Sequence, residues 1–264
     1  MTERQVDGPA KIPGRKGVKT GSGSGPGSGK SGGAASDDSG GEERRGWRTE
    51  RPRTLPIFPL PGVLLLPGGK LPLNIFEPRY LHMVEDAMAS HRMIGMVQPL
   101  EADQHAVRPR PYDIGCAGRI TSFSETEDGR YLITLSGIIR FRIEEELSVT
   151  TPYRQVVADY ERFGADLSAG DPAAVDGKRL LTALRAYLSA TGIPADWESI
   201  NRAPLPTLVT SLAMICPFAP SEKQALLEAP DLAERGRTLV ALMEMATAGA
   251  GQEGEADAPP PKLN

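Results

Sequence analysis

The residues that could do covalent chemistry in this chain stand in the wrong surroundings for it. Ser24-Gly25-Pro26-Gly27-Ser28-Gly29-Lys30-Ser31 comes close to a phosphate-cradling loop, in which glycines turn backbone N–H groups toward a ligand and a lysine meets its charge. Ser24 occupies the place of the first glycine, and neither a strand before nor a helix after holds the cradle. Gly29-Lys30-Ser31-Gly32-Gly33 fits the G-x-S-x-G spacing of a serine nucleophile, which needs a strained strand-to-helix turn and a histidine partner; neither is present. Both runs read as Gly/Ser linker. His82, His91 and His105 share no i,i+3 or i,i+4 spacing, and with only Cys116 and Cys216 they form no metal-binding pattern. Cys116 has no lysine or histidine beside it in sequence and reads as a packed thiol. No catalytic residue, metal or cofactor is expected, and the chain reads as a protein other than an enzyme.

Two groups of residues suggest binding instead. Tyr112, Tyr131, Arg140, Phe141 and Arg142 place aromatic and basic side chains on neighbouring strands, a mixture that stacks single-stranded RNA. The plainer reading puts Phe141 in the core and the arginines in solvent. Val63, Leu64, Leu65 and Leu66 stand between Pro61-Gly62 and Pro67-Gly68-Gly69, without the alternation of a half-buried strand. They either present a peptide-contacting apolar patch on a loop or seal the sheet and pack on the helix that follows.

The elements that position these residues change character along the chain. Residues 54–165 read mainly as strand: Leu55–Phe58, an edge strand through Leu71, Leu73 and Ile75, Arg92–Gln98, Tyr112–Glu125, Tyr131–Ser136, an Ile139-Phe141-Ile143 face, and Tyr153–Tyr160. Gly115 and Gly118 predict a bend, and Asp128-Gly129 a tight hairpin turn. A twisted sheet closing toward a barrel follows. One helix interrupts it, entered at Pro78 with Tyr80, Met83, Val84, Ala87 and Met88 on one stripe. Residues 166–248 read as a small helical bundle. Asp171-Pro172 opens it, Leu205–Ile215 forms a second helix, Ser221–Gln224 gives a capping box, and Asp231–Ala246 forms the last helix. The fold class is α+β.

The ends differ from this middle. Residues 1–53 hold thirteen of the 29 glycines and carry 11 Lys/Arg against 7 Asp/Glu, so a disordered basic tail is expected; so is a disordered tail over 249–264. The formal net charge is −4, so the remainder is acidic, which argues against a nucleic-acid surface. No long apolar segment suggests export or a membrane span, and a cytoplasmic location is expected.

With these residues in place, the chain resembles the Lon N-terminal domain family. The resemblance rests on LPIFPLPGVLLLPGGKLPLNIFEPRY (55–80), LHMVEDAM, IGMVQP, YDIGCAGRITSF, the Asp-Gly hairpin, ITLSGIIRFRI and, in the helical part, SEKQALLEAPDLAERGRTLVALMEMA. It implies a PUA-like pseudo-barrel with a helical subdomain behind it, and recognition of unfolded or tagged polypeptides or of a partner protein. It also implies a protease and an AAA+ ATPase elsewhere in the family's larger members. Neither has a segment here, so a stand-alone, non-catalytic recognition module, an adaptor in protein quality control, is expected. An RNA-binding PUA-like module is the alternative.

Overall fold

The computed structural model describes residues 51–103, 106, 108–168 and 170–256, with the backbone alone at 102 and 250–256. All fall within the unit Glu43–Asn264. Residues 1–50 of the tail expected over 1–53, residues 257–264 of the tail expected over 249–264, the two Gly/Ser runs and His105 lie outside the described residues.

Six strands form one sheet: β1 (Thr54–Pro59), β2 (Lys70–Ile75), β3 (Met93–Val97), β4 (Ile114–Glu125), β5 (Tyr131–Glu146) and β6 (Arg154–Asp159). The order is β2-β5-β4-β3-β1-β6, and β6 pairs back onto β5 through Arg142↔Asp159 and Ile143↔Ala158. Hydrogen bonding therefore runs in a circuit, β5-β4-β3-β1-β6-β5, with β2 added outside it along the first half of β5. β1 and β3 are parallel, and the crossover between them contains β2 and helix α1 (Pro78–Ala89). Tyr80, Met83, Val84 and Ala87 form the buried stripe of α1, which packs on β1 and β3.

β5 is one strand of 16 residues where the sequence suggests two runs. The interruption is Gly137, which pairs with Gly118 beside a register shift in β4. This is the bend expected at Gly118. The hairpin turn is as expected: Gly129 has φ +78°, and Thr126 N–H donates to Arg130 O at 2.9 Å.

The helical part contains α2 (Gly177–Thr191), α3 (Trp197–Arg202), α4 (Leu205–Ile215), α5 (Pro220–Glu228) and α6 (Leu232–Ala256). Three of its boundaries differ from the sequence reading. Asp171 caps only a 3-10 turn, Pro172–Ala174, and α2 is capped by Asp176, which accepts from Arg179 N–H. α5 starts at Pro220, so Ser221 lies inside it; the expected box survives as one bond, Ala219 N–H to Glu222 Oε2 at 2.7 Å. α6 runs to Ala256, past Ala246 and through Gly249, into the segment expected to lack structure.

A buried polar seam joins the two parts. Arg140 of β5, 3 % exposed, donates to both carboxylate oxygens of Asp166 and to the carbonyls of Leu227, Ala229 and Pro230. Gln98 donates to Pro220 O at 3.0 Å, Gln224 to Ile114 O at 3.1 Å, and Lys223 Nζ to Gly62 O at 2.8 Å. Each bond satisfies a carbonyl that the sheet–helix contact removes from water. The reading that both arginines of the β5 run face solvent holds for Arg142 and fails for Arg140, because the α5–α6 connection covers it.

Candidate recognition surface

Leu64, Leu65 and Leu66 are buried, at 2 %, 1 % and 0 % exposure, and Val63 is half-buried. The run fills a notch made by two glycines. A Cβ on Gly118 would lie 2.6 Å from Leu65 Cδ2, and one on Gly137 would lie 2.0 Å from Leu66 O. Gly68 N–H to Gly137 O and Gly137 N–H to Gly69 O, at 2.9 and 2.8 Å, pin the loop to β5. These leucines pack against the sheet, and of the four aliphatics only Val63 keeps part of its side chain in solvent. Of the two readings of this run, the burial of Leu64–Leu66 fits the one in which they pack against the sheet.

Exposed apolar groups gather instead where β2 meets the β4–β5 hairpin. Phe123 and Tyr131 lie on one sheet face with ring centroids 5.0 Å apart, and Phe123 is 41 % exposed. Tyr131 is paired with Ile75, the residue before Phe76, which is 64 % exposed. Leu132, 45 % exposed, pairs with Asn74 and Ser124 and so points to the opposite face. The end of the sheet thus offers large apolar side chains on both faces. Tyr131 Oη donates to Glu85 Oε1 of α1 at 2.8 Å, which fixes the ring and pushes the phenol up from its ordinary range. Sequence reasoning missed Phe76, Phe123 and Leu132. The available signal was that Phe123 and Leu132 flank a turn, where the core has no depth to cover them.

A concavity of about 250 Å³ lies between the β1 end, α1 and β6, with Pro59, Tyr80, Pro109, Pro152, Tyr153 and Arg154 among its walls. Arg79 lies 4.6 Å over the Tyr80 ring, which packs 4.2 Å from Phe58. Arg154 grips Glu146 with two bonds, at 2.9 and 2.6 Å, and Arg108 joins the same carboxylate. The Arg154 guanidinium, then Arg108, holds the Glu146 carboxyl below its ordinary range. Burial, then the acceptor Asp86, pushes the Tyr153 hydroxyl up, so it stays protonated at neutral pH. Proline, ring and guanidinium faces suit contact with an extended chain better than proton transfer.

The remaining candidates separate. Cys116 is fully buried and its thiol is pushed up by desolvation; Cys216 is pushed up to about 11 by the same cause, so both stay protonated at neutral pH. His82 and His91 are exposed, and no metal-binding group of His, Cys, Asp and Glu occurs among the described residues. Phe141 is buried and stands ten positions from Tyr131 on the same strand, roughly 33 Å at strand rise, so the two rings form no shared RNA-stacking platform. No helix of the described residues is long and apolar enough to cross a membrane.

Comparison with known proteins places the domain. The chain is 27% identical over 198 residues to Lon protease 2 of Sorangium cellulosum, covering 72% of this chain and 24% of that protein. It is 28% identical over 209 residues to the Lon protease of Cytophaga hutchinsonii, covering 77% and 25%. The chain therefore spans about a quarter of the length of these relatives. In structure it is similar to a Lon N-terminal domain protein from Xanthomonas campestris, with a TM-score of 0.52 and 22% identity over 71% of this chain and 97% of that one. It is also similar to the N-terminal domain of Lon protease from the Mycobacterium avium complex, with a TM-score of 0.50 and 18% identity over 72% and 98%. The family model described as the ATP-dependent protease La (LON) substrate-binding domain matches residues 54–245, and the chain belongs to that family.

Proposed function

We propose that this chain is a non-catalytic recognition module for unfolded polypeptide, acting as an adaptor in cytoplasmic protein quality control. The observation that carries the reading is the exposed apolar end of the sheet, where Phe76, Phe123 and Leu132 remain in water although the core beside them is closed. Exposed side chains grouped at one end of a sheet are what a partner of apolar, sequence-tolerant character would cover. The protonated phenols and buried thiols support the non-catalytic part of the reading. The strand circuit closed by β5 and β6 supports the finer architectural reading, a PUA-like pseudo-barrel with the helices behind it.

The test is binding of a fluorescently labelled, reduced and alkylated protein against the same protein in its native state. The full chain binds the unfolded form at least tenfold more tightly. Phe76→Ser with Phe123→Ser removes that preference while circular dichroism stays unchanged. Equal binding of both forms, or no loss in the double variant, overturns the proposal. Mixed-sequence RNA at low salt gives no electrophoretic shift on this reading.

A further inference from the structure

A cavity of about 180 Å³ lies between β5, the 3-10 segment Glu161–Leu167, α4 and the start of α6, lined by Arg140, Asp166, Ser168, Asp231, Leu232 and Arg235 among others. Its two arginines are unequal. Every N–H of the Arg140 guanidinium has an acceptor, in Asp166 and three carbonyls. Arg235, 6 % exposed, donates through Nε to Leu226 O at 2.9 Å, and its buried Nη2 has no partner.

The charges around Arg235 are already engaged. Asp166 is gripped by Arg140 through the side chain and accepts the Arg140 backbone N–H at 2.9 Å. Asp231 is exposed and caps α6 by accepting Glu234 N–H at 2.8 Å. No salt bridge to Arg235 occurs among the described residues. Desolvation, then the neighbouring Arg140, pushes the Arg235 guanidinium down to about 10, which leaves it a cation at neutral pH. Asp166 and Asp231 offset part of the Arg235 charge while Arg140 opposes them, and a bound water would satisfy the hydrogen bond without adding a counter-charge. The cavity also sits at the N-terminal end of α6, the positive end of a 25-residue helix.

We propose that this cavity binds a small inorganic oxyanion of phosphate size, with Arg235 as its principal ligand. The volume falls below the roughly 300–1,000 Å³ of pockets for larger organic ligands, and a guanidinium matches a tetrahedral oxyanion with paired N–H bonds. The occupant neutralises Arg235 at the junction of sheet and helices, so it also stabilises that junction.

The experiment titrates inorganic phosphate into the full chain at constant ionic strength, with chloride as reference, followed by calorimetry and phosphorus NMR. Wild type binds saturably at one site. Arg235→Met weakens binding at least tenfold, and Arg237→Met, an exposed arginine on the same helix, leaves it within twofold. Absence of saturable binding by wild type, or retention of it in Arg235→Met, overturns the proposal. Should Arg235→Met fail to fold, amide and Arg235 Nε shifts in ¹⁵N-labelled wild type decide. Phosphate moves Ser168, Gly170, Leu232 and Arg235 if the site is real, whereas shifts confined to other regions, or none, overturn it.

Discussion

Arg140 Nη2 and Asp166 Oδ1 meet at 2.8 Å, with side chains 4 % and 8 % exposed, at the point where the last helices lie on the sheet. The pair does more than cancel charge. With Asp166 holding Nε and one Nη2 proton, the guanidinium is oriented so that its other protons reach the carbonyls of Leu227, Ala229 and Pro230. Those carbonyls belong to the last turn of α5 and the α5–α6 connection, so one side chain from β5 fixes where α6 starts.

Removal of either partner leaves a buried charge unmatched. Arg140→Met and Asp166→Asn are each expected to destabilise the protein by about 3–5 kcal/mol, measured by urea unfolding. The double replacement by apolar residues costs less than the two single changes added together, because no lone charge remains. Strict additivity would show that the pair is not energetically coupled.

Phe141 lies in the core at 0 % exposure, 6.3 Å from Tyr160 between ring centroids. Phe141→Ala is expected to cost about 3–5 kcal/mol, the transfer loss together with the cavity left behind. A loss below about 1 kcal/mol in the same unfolding experiment would mean that neighbours collapse into the space, which the facing strands make difficult.

The alternation of Ile139, Phe141 and Ile143 and the Asp-Gly turn were legible because period and turn chemistry are local. The exposure of Phe76, Phe123 and Leu132 was not, because one sequence face is covered or bare according to what distant elements pack on it. The same holds for Arg140: alternation places it on the outer face, and only the arrival of residues 227–230 buries it. Val63–Leu66 shows the converse. Four aliphatics in a loop satisfy the pattern of a surface patch, and it is the Gly118–Gly137 notch on other strands that draws Leu65 inward. The capping-box motif shifted because Pro220 serves at the first helical position before Ser221 can act as cap.

Gly137 should be intolerant of any side chain. The atom nearest the place a Cβ would take is a backbone oxygen, Leu66 O at 2.0 Å, which cannot rotate away as a side-chain tip can. Gly137→Ala is expected to destabilise by about 1–3 kcal/mol or more and to loosen the 63–69 loop, seen as faster amide exchange at Gly68. Gly164→Ala, with nothing within 4 Å of its Cβ position and no positive φ, serves as the control and changes stability by less than about 0.5 kcal/mol.

Alkaline pH should weaken the fold. Cys216, at about 11, and Cys116, Tyr153 and Tyr160 are all held above their ordinary ranges, with desolvation the leading cause for each. A raised acid keeps its proton in the folded chain after the unfolded chain has released its own, so the folded state binds more protons. Stability then falls as pH rises. For Cys216 the stability is fully present below the ordinary thiol value of 9.0 and is lost between there and about 11, on the order of 1.4 kcal/mol per pH unit. Urea unfolding from pH 7 to 10.5 should show little loss up to about 8.5 and a steepening decline above it. Cys216→Ala should flatten that decline, whatever its effect at pH 7, because it deletes one of the protons whose retention distinguishes the folded state. An unchanged slope in the variant would mean that the Cys216 thiol ionises as readily in the fold as in the open chain.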